Sequence, residues 1–288
     1  MAFLKTPLVL LQVGIISLVI GGCNNGKKEK FPDTDMYNIS SPKVVDLPEE
    51  LDEISGIAYY PKDTSVFAII DEDGILYKIP LKNPKAFRQW KFDKKRDFED
   101  VVLLDSVFYV LVSNGDIESI RFNGNSLVTN KSNFSDESKK VNEFEALYFD
   151  KDSSSLIMLC KSCEADPKKS FSSFVYDYKD TAMTYLPYKT FDMTPLESKL
   201  NVDKRLKASA AAINPITGDI YILSSIQKLL VITNNKGEFK EVYKLDPKIY
   251  KQPEGITFTP GGDMIISNES AQTGFANLLL FKNKKKGR

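Results

Sequence analysis

Three glutamates and two serines occupy equivalent positions in a pattern that recurs along this chain. Each stands at the head of a short apolar run, and the steps between successive heads are 44, 46, 64 and 45 residues. The five head residues are Ser55, Glu99, Glu145, Ser209 and Glu254. If the repeats surround an axis, two carboxylates about 5 Å apart repel by roughly 3 kcal/mol at an effective dielectric near 20. Three of them should bind a cation or retain a proton, and all-oxygen ligands favour Ca²⁺ or Mg²⁺ over zinc.

A second interpretation of the same heads requires no metal. Each glutamate could accept backbone N–H groups at the start of its strand, or could pair with a lysine or arginine. Polar residues end the second strand of several repeats. They have two interpretations: they rim the opening at the axis near the heads, or they are ordinary turn residues. These residues are Asp71, Glu72, Asn114, Asn268 and Glu269.

The composition narrows the chemistry further. The chain contains no histidine, which excludes Ser-His-Asp and Cys-His nucleophiles, common zinc sites and histidine proton shuttles. Its 39 basic residues balance its 39 acidic residues, so no basic field for nucleic acid is expected. Catalysis, if there is any, must depend on carboxylates, amides, hydroxyls, lysine, tyrosine or a hard cation.

The elements that carry the heads are predicted to be β-strands. Ile57 and Tyr59 share a face at a two-residue period, as do Val101 and Leu103 in the next repeat. Short strands separated by turn residues follow each head, usually four strands in a repeat. Repeats of roughly 40–50 residues are typical of propeller blades, so the sequence predicts an all-β, five-bladed β-propeller, with six blades as the alternative.

Two repeats depart from the common length. The fifth has only three predicted strands, and the segment 43–47, which precedes the first repeat, is expected to supply the fourth and close the ring. The third contains an insertion over about 164–207. Within it, Thr194, Pro195 and Glu197 form a helix-start pattern, which predicts a short helix on the face of the ring.

The first residues have the layout of an export signal. Lys5 precedes an apolar stretch, and small residues then lead into Cys23. This segment resembles the bacterial lipobox, which implies cleavage before Cys23, lipidation of its sulfur and, since no Asp follows, anchoring to the outer membrane. A transmembrane anchor is the alternative, although the apolar stretch is shorter than the roughly 20 residues that span a bilayer.

The predicted organisation is therefore a signal peptide over 1–22, a flexible tether over 23–40 and a propeller over 41–288. The localisation that follows is the cell envelope, on either the periplasmic or the outer side of the membrane. Composition and size are those of one soluble domain, expected to be a monomer.

Cys160 and Cys163 form a Cys-x-x-Cys motif. A redox pair normally begins a helix, whose dipole lowers the pKa of one thiol. Here the motif follows a predicted strand over 155–159. This position favours a loop disulfide over free thiols or a redox pair.

The heads resemble those of the SdiA-regulated, YjiK-like family of bacterial propellers. The matching segments are Ile54-Ser55-Gly56-Ile57, Phe98-Glu99-Asp100, Phe144-Glu145-Ala146-Leu147 and Pro253-Glu254-Gly255-Ile256. The resemblance implies a five-bladed propeller distantly similar to NHL-repeat proteins, a calcium site in some members and no established activity. The chain departs from the family pattern at Asp100, where Gly is usual, and at Ala210-Ala211, where Gly-Leu is expected.

Two functions are compatible with these features. The first is a binding module in which calcium stiffens the ring while loops engage a small molecule or an envelope protein. The alternative is a metal-dependent hydrolase of lactones, phosphate esters or other small esters, with Asp100, Asp71 or Glu143 as the base. The sequence favours binding because its spacing singles out no base.

Overall fold

The computed structural model describes residues 31–134, 141–179, 185–200, 205–270 and 274–285. The predicted signal peptide, the lipidation site Cys23 and the first part of the predicted tether lie outside this range. Among the described residues, no helix has both the length and the apolar character needed to cross a membrane.

The described chain forms five four-stranded antiparallel sheets, one for each blade. The first strand, β1 (Lys43–Asp46), belongs to the last blade. Blade one contains β2 (Ile54–Tyr60), β3 (Ser65–Ile70), β4 (Ile75–Pro80) and β5 (Arg88–Lys91). Blade two contains β6 (Phe98–Leu104), β7 (Val107–Val112), β8 (Ile117–Asn123) and β9 (Ser126–Ser132). Blade three contains β10 (Asn142–Asp150), β11 (Ser155–Cys163), β12 (Ser170–Tyr176) and β13 (Tyr185–Asp192).

After blade three, the chain forms helix α1 (Thr194–Leu200), at the position that its start pattern predicts. Blade four contains β14 (Ala210–Ile213), β15 (Ile220–Ser224), β16 (Leu229–Thr233) and β17 (Phe239–Lys244). Blade five contains β18 (Pro253–Phe258), β19 (Met264–Asn268) and β20 (Asn277–Phe281), with β1 as its fourth strand. The five-bladed all-β prediction is confirmed.

The first strands of the blades line the centre of the ring. Strands β2, β6, β10, β14 and β18 contact one another in a closed circle. The second strands β3 and β7 are buried at every residue because the apolar sheets pack face to face, and β11 is buried except at Lys161 and Ser162. The inner strands approach closely: a Cβ on Gly56 would collide with the backbone of Asp100 in the next blade.

The ring closes as predicted. Strand β1 pairs antiparallel with β20, with Lys43 opposite Leu280 and Asp46 opposite Asn277. This pairing covers the sheet edge that a three-stranded fifth blade would expose.

The segment before β1 is packed against the ring as well. Met36, Tyr37 and Ile39 are buried in the apolar core shared by blades four and five. The Tyr37 hydroxyl donates to the Gly262 carbonyl at 2.6 Å and accepts from the Asn214 amide at 2.7 Å. Phe31 and the residues after it belong to the same compact unit as the blades, and the tether boundary at residue 40 stays a prediction. Local hydrogen bonds, such as that from the Tyr37 backbone N–H to the Thr34 hydroxyl at 2.8 Å, order the segment together with its contacts to the ring.

Candidate functional site

The head residues are positioned by irregularities in the inner strands. The pairing register shifts between Phe98 and Asp100 in β6, and between Pro253 and Gly255 in β18. Glu99 and Glu254 are the residues skipped at these two shifts. In blade three, the shift between Phe144 and Ala146 leaves Glu145 of β10 without a ladder partner, and the shift before Phe144 skips Lys161 of β11. A β-bulge changes the direction of the side chain of its extra residue. Each head glutamate is such an extra residue, so its side chain does not follow the alternation of the strand.

Glu99 and Glu254 lie in a shared electrostatic environment. Burial, first of all, and the charges of Asp97, Asp71 and Glu254 together raise the pKa of Glu99 to about 9, against the opposing effect of Lys161. Burial also raises the pKa of Glu254, against a hydrogen bond with Ser225 and the nearby ammonium groups. Both carboxyls therefore hold a proton more strongly than they do in water.

Three further carboxylates complete this group. Desolvation, the neighbouring Asp97 and the charges around it together raise the pKa of Asp71 to about 7. Burial and the charges of Glu254 and Glu53 raise the pKa of Glu269 to about 7. We call Asp71, Asp97, Glu99, Glu254 and Glu269 the carboxylate mouth. Asp71 remains exposed to solvent, so water screens part of this repulsion.

A lysine occupies one side of the mouth. The Lys161 ammonium pairs with the carboxylates of Glu145 and Glu143, the second at 3.1 Å, and its charge also acts on Glu99 and Glu254. Glu145 is buried, so its negative charge requires this partner. Of the three head glutamates, Glu145 has the lysine pairing that the sequence left open as an alternative to metal.

The two head serines connect neighbouring blades. The Ser209 hydroxyl donates to the Pro253 carbonyl at 2.8 Å and accepts from the Ser225 backbone N–H at 3.2 Å. The Ser267 hydroxyl donates to the Ser55 carbonyl at 2.7 Å. Ser209 is thus engaged within the protein, and the carboxylate mouth holds the oxygens best suited to a cation.

Cys160 and Cys163 are joined by a disulfide that flanks Lys161. Both cysteines lie in β11, and the Arg205 guanidinium donates to the Cys163 carbonyl at 3.1 Å at the end of this strand. Both sulfurs lie near an Asp166 carboxylate oxygen, but the disulfide leaves no thiolate for a metal. The Asp166 carboxylate instead accepts hydrogen bonds from Ser172.

A cavity of about 290 Å³ lies among the later residues of the inner strands, beyond the heads. Among its lining residues Asp100 carries a carboxylate, which accepts the backbone N–H groups of Val101 and Leu147. Of the bases considered for hydrolysis, Asp100 is therefore engaged by the backbone and Glu143 by Lys161. Asp71 is the candidate base that lies in the carboxylate mouth.

Lys161 and Asp97 were not identified from the sequence. Asp97 stands two residues before Glu99, just ahead of β6, and the bulge at Glu99 interrupts the strand alternation, so no sequence signal placed the two side chains together. Lys161 had no signal either, because its direction depends on the irregular pairing of β10 with β11.

Comparisons with known proteins agree with this architecture. The sequence model described as SdiA-regulated matches residues 39–273. No curated protein matches the chain. Similar solved structures include the Myxococcus xanthus glutaminyl cyclase, at 12% identity and a TM-score of 0.56, covering 84% of this chain and 94% of that one. A luciferin-regenerating enzyme has 10% identity and a TM-score of 0.52, covering 85% and 96% respectively. At such identities these likenesses show the fold alone.

Proposed function

The chain belongs to the SdiA-regulated family, and from this premise we propose that it is a binding propeller of the cell envelope whose carboxylate mouth holds a divalent cation, most suitably Ca²⁺. The observation that carries the proposal is the raised pKa of Glu99, to about 9, among other carboxyls with raised pKa values. A divalent cation would relieve this repulsion and displace the bound protons. Carboxylate oxygens are the ligands that calcium prefers.

The position of Lys161 restricts where the cation would bind. Its single positive charge is paired with Glu145 and Glu143, whereas burial and neighbouring carboxylates raise the pKa values of Asp71 and Glu269. The cation would therefore bind to the carboxylate mouth and leave the lysine pair intact. In this arrangement Glu145 serves as the partner of Lys161, and carboxylates of the mouth, Glu99 and Glu254 first among them, would supply the ligands.

Calorimetric titration with calcium tests the proposal. Because binding must displace the proton of Glu99, affinity should rise by up to about tenfold per pH unit between pH 7 and 9. Calcium binding should release protons, so the measured heat of binding should change with the ionisation enthalpy of the buffer. Calcium at a hundred times its dissociation constant should add about 2.7 kcal/mol to the free energy of unfolding.

Two variants and a control locate the effect. Glu99→Gln and Glu254→Gln should each lose most of the calcium response. Asp219→Asn, which alters an ion pair with Lys240 on blade four, should retain it. Absence of both heat and thermal shift in the wild-type protein would refute the cation site.

The envelope assignment rests on the lipobox-like segment that ends at Cys23. A lipid on this sulfur would anchor the propeller to the outer membrane and leave its loops free to engage a small molecule or an envelope protein. In cells, Cys23→Ser should release the protein from the detergent phase into the aqueous phase. Unchanged partitioning would contradict lipid anchoring.

One observation keeps the hydrolase alternative. Asp71 has a pKa raised to about 7, which suits a general base near neutral pH. In that case the cation would polarise a small ester while Asp71 accepts a proton from the attacking water. Calcium-dependent hydrolysis of a nitrophenyl ester that Asp71→Asn abolishes would support this function, and equal rates in both proteins would exclude Asp71 as the base.

A further inference from the structure

A second cavity, of about 390 Å³, opens between blades one and two and is lined in part by Tyr60 of β2 and Leu103 of β6. Five aromatic rings and two cationic side chains line it. We call it the aromatic cleft, and these residues are Tyr60, Phe67, Trp90, Phe108, Phe122, Lys78 and Arg88. Neither of the functions considered above uses this cleft.

The rings form a connected apolar wall. The centroids of Phe67 and Phe108 are 4.5 Å apart, and Trp90 meets Phe122 edge to face at 4.9 Å. Phe122 is 38% exposed, which is unusual for a large apolar side chain at the end of a blade strand. The cleft therefore offers an accessible aromatic surface within a concave site.

The cations give the cleft a positive charge. The Arg88 guanidinium lies 4.8 Å from the Trp90 ring centroid, and the Lys78 ammonium lies 4.7 Å from that of Tyr60. Lys78 is paired with Asp63. Arg88 is exposed and, within the described part of the chain, has no carboxylate partner. Its planar fork, held against an aromatic face, is suited to binding a carboxylate through two hydrogen bonds.

We propose that the aromatic cleft binds a small organic anion that carries an aromatic ring next to a carboxylate. The ring packs against Phe122 and Trp90, and the carboxylate pairs with Arg88. Cavities of this size accept small molecules, and the combination of apolar walls with one charged group fixes the orientation of the ligand. Charge complementarity selects the acid over its neutral analogues.

The corresponding cavity between blades two and three provides an internal comparison. It is smaller, at about 240 Å³, and Tyr109, Tyr176, Tyr178 and Arg121 line it. There the positive charge of Arg121 acts on the Tyr109 hydroxyl. Arg121→Gln is therefore a matched control for Arg88→Gln.

Trp90 is the only tryptophan in the sequence, so tryptophan emission, excited at wavelengths that the tyrosines do not absorb, reports on the aromatic cleft. Titration with 3-phenylpropionate should produce a saturable change in emission. The neutral 3-phenylpropanamide should bind at least tenfold more weakly, as should the non-aromatic acid propionate. Arg88→Gln should weaken 3-phenylpropionate binding at least tenfold, Arg88→Lys should weaken it less, and Arg121→Gln should leave it unchanged.

Three outcomes would overturn the proposal: no saturable change, equal affinity for the acid and the amide, or no effect of Arg88→Gln. Saturable binding of galacturonate without binding of 3-phenylpropionate would also overturn it, because an acidic sugar would then be the ligand. Circular dichroism confirms that each variant is folded. The titration is run in chelator, so its result is independent of any cation in the carboxylate mouth.

Discussion

The carboxylate of Asp100 in blade two accepts a hydrogen bond from the backbone N–H of Leu147 in blade three, with 2.8 Å between the two atoms. Its other oxygen accepts from the backbone N–H of Val101, also at 2.8 Å. Asp100 is buried, and Gly56 in blade one leaves room for its backbone. The Asp100 side chain thus links two blades.

Replacing Asp100 should destabilise the protein without changing the carboxylate mouth. In Asp100→Asn, one of the two acceptor oxygens becomes an NH₂ group that faces a backbone donor. The free energy of unfolding should fall by about 1–3 kcal/mol, the cost of leaving a buried donor unsatisfied. Urea denaturation measures this, with the exposed Asp105→Asn as the control. Equal midpoints for the two variants would contradict the linking role.

Stability should fall as the pH rises when no divalent cation is present. A carboxyl whose pKa is raised by folding binds more protons in the folded state than in the unfolded state, so its stabilising effect is present at low pH. For Glu99 the effect is lost between about pH 4.5 and about pH 9. Denaturation midpoints at pH 5, 7 and 9 in chelator should decrease in this order. Glu99→Gln should reduce the dependence, whereas the exposed Glu49→Gln should preserve it.

Removing the Lys161 ammonium should separate stability from cation affinity. In Lys161→Met, buried Glu145 loses its partner, which costs up to about 3–5 kcal/mol for a fully buried pair and less here because Lys161 is partly exposed. The loss of one positive charge should at the same time tighten calcium binding. Thermal melts in chelator and in calcium, with Lys161→Arg as the conservative control, measure both effects. Weaker calcium binding in Lys161→Met would mean that the lysine supports the cation site.

The segment before β1 should be required for full stability. A chain that begins at residue 41 lacks Tyr37 and Ile39 and should melt at a lower temperature than one that begins at residue 31. Tyr37→Phe isolates the polar part of the effect, because it deprives the Asn214 amide and the Gly262 carbonyl of their partner. It should cost about 1–3 kcal/mol. Identical melting temperatures for the two truncated chains would mean that the residues before 41 do not contribute to the stability of the propeller.

The fold could be predicted because its signals are periodic. Strand alternation, turn residues and a nearly constant interval all follow from local geometry, and a three-stranded blade requires a closing strand wherever one is available. The grouping of Glu99 with Glu254 followed from the same repeat. The fold alone needed no knowledge of individual side-chain contacts.

The remaining features depend on contacts that have no period. Lys161 reaches the glutamates because β11 pairs irregularly with β10, and a one-residue change of register reverses the face on which a side chain lies. Tyr37 and Ile39 are ordered by side chains from residues more than 170 positions away in sequence. Neither arrangement leaves a mark in the sequence around the residue concerned.

The packing of Tyr37 and Ile39 bears on how the propeller would respond to mechanical load. If the chain is anchored at Cys23, tension enters the domain just before β1, the strand whose detachment would open the ring. The Tyr37 hydroxyl and the Ile39 carbonyl, which accepts from Tyr250 at 2.8 Å, hold the chain to blade five before that strand begins. A force on the anchor would therefore act first on these contacts. The pairing of β1 with β20, which closes the ring, would bear the force only after they break.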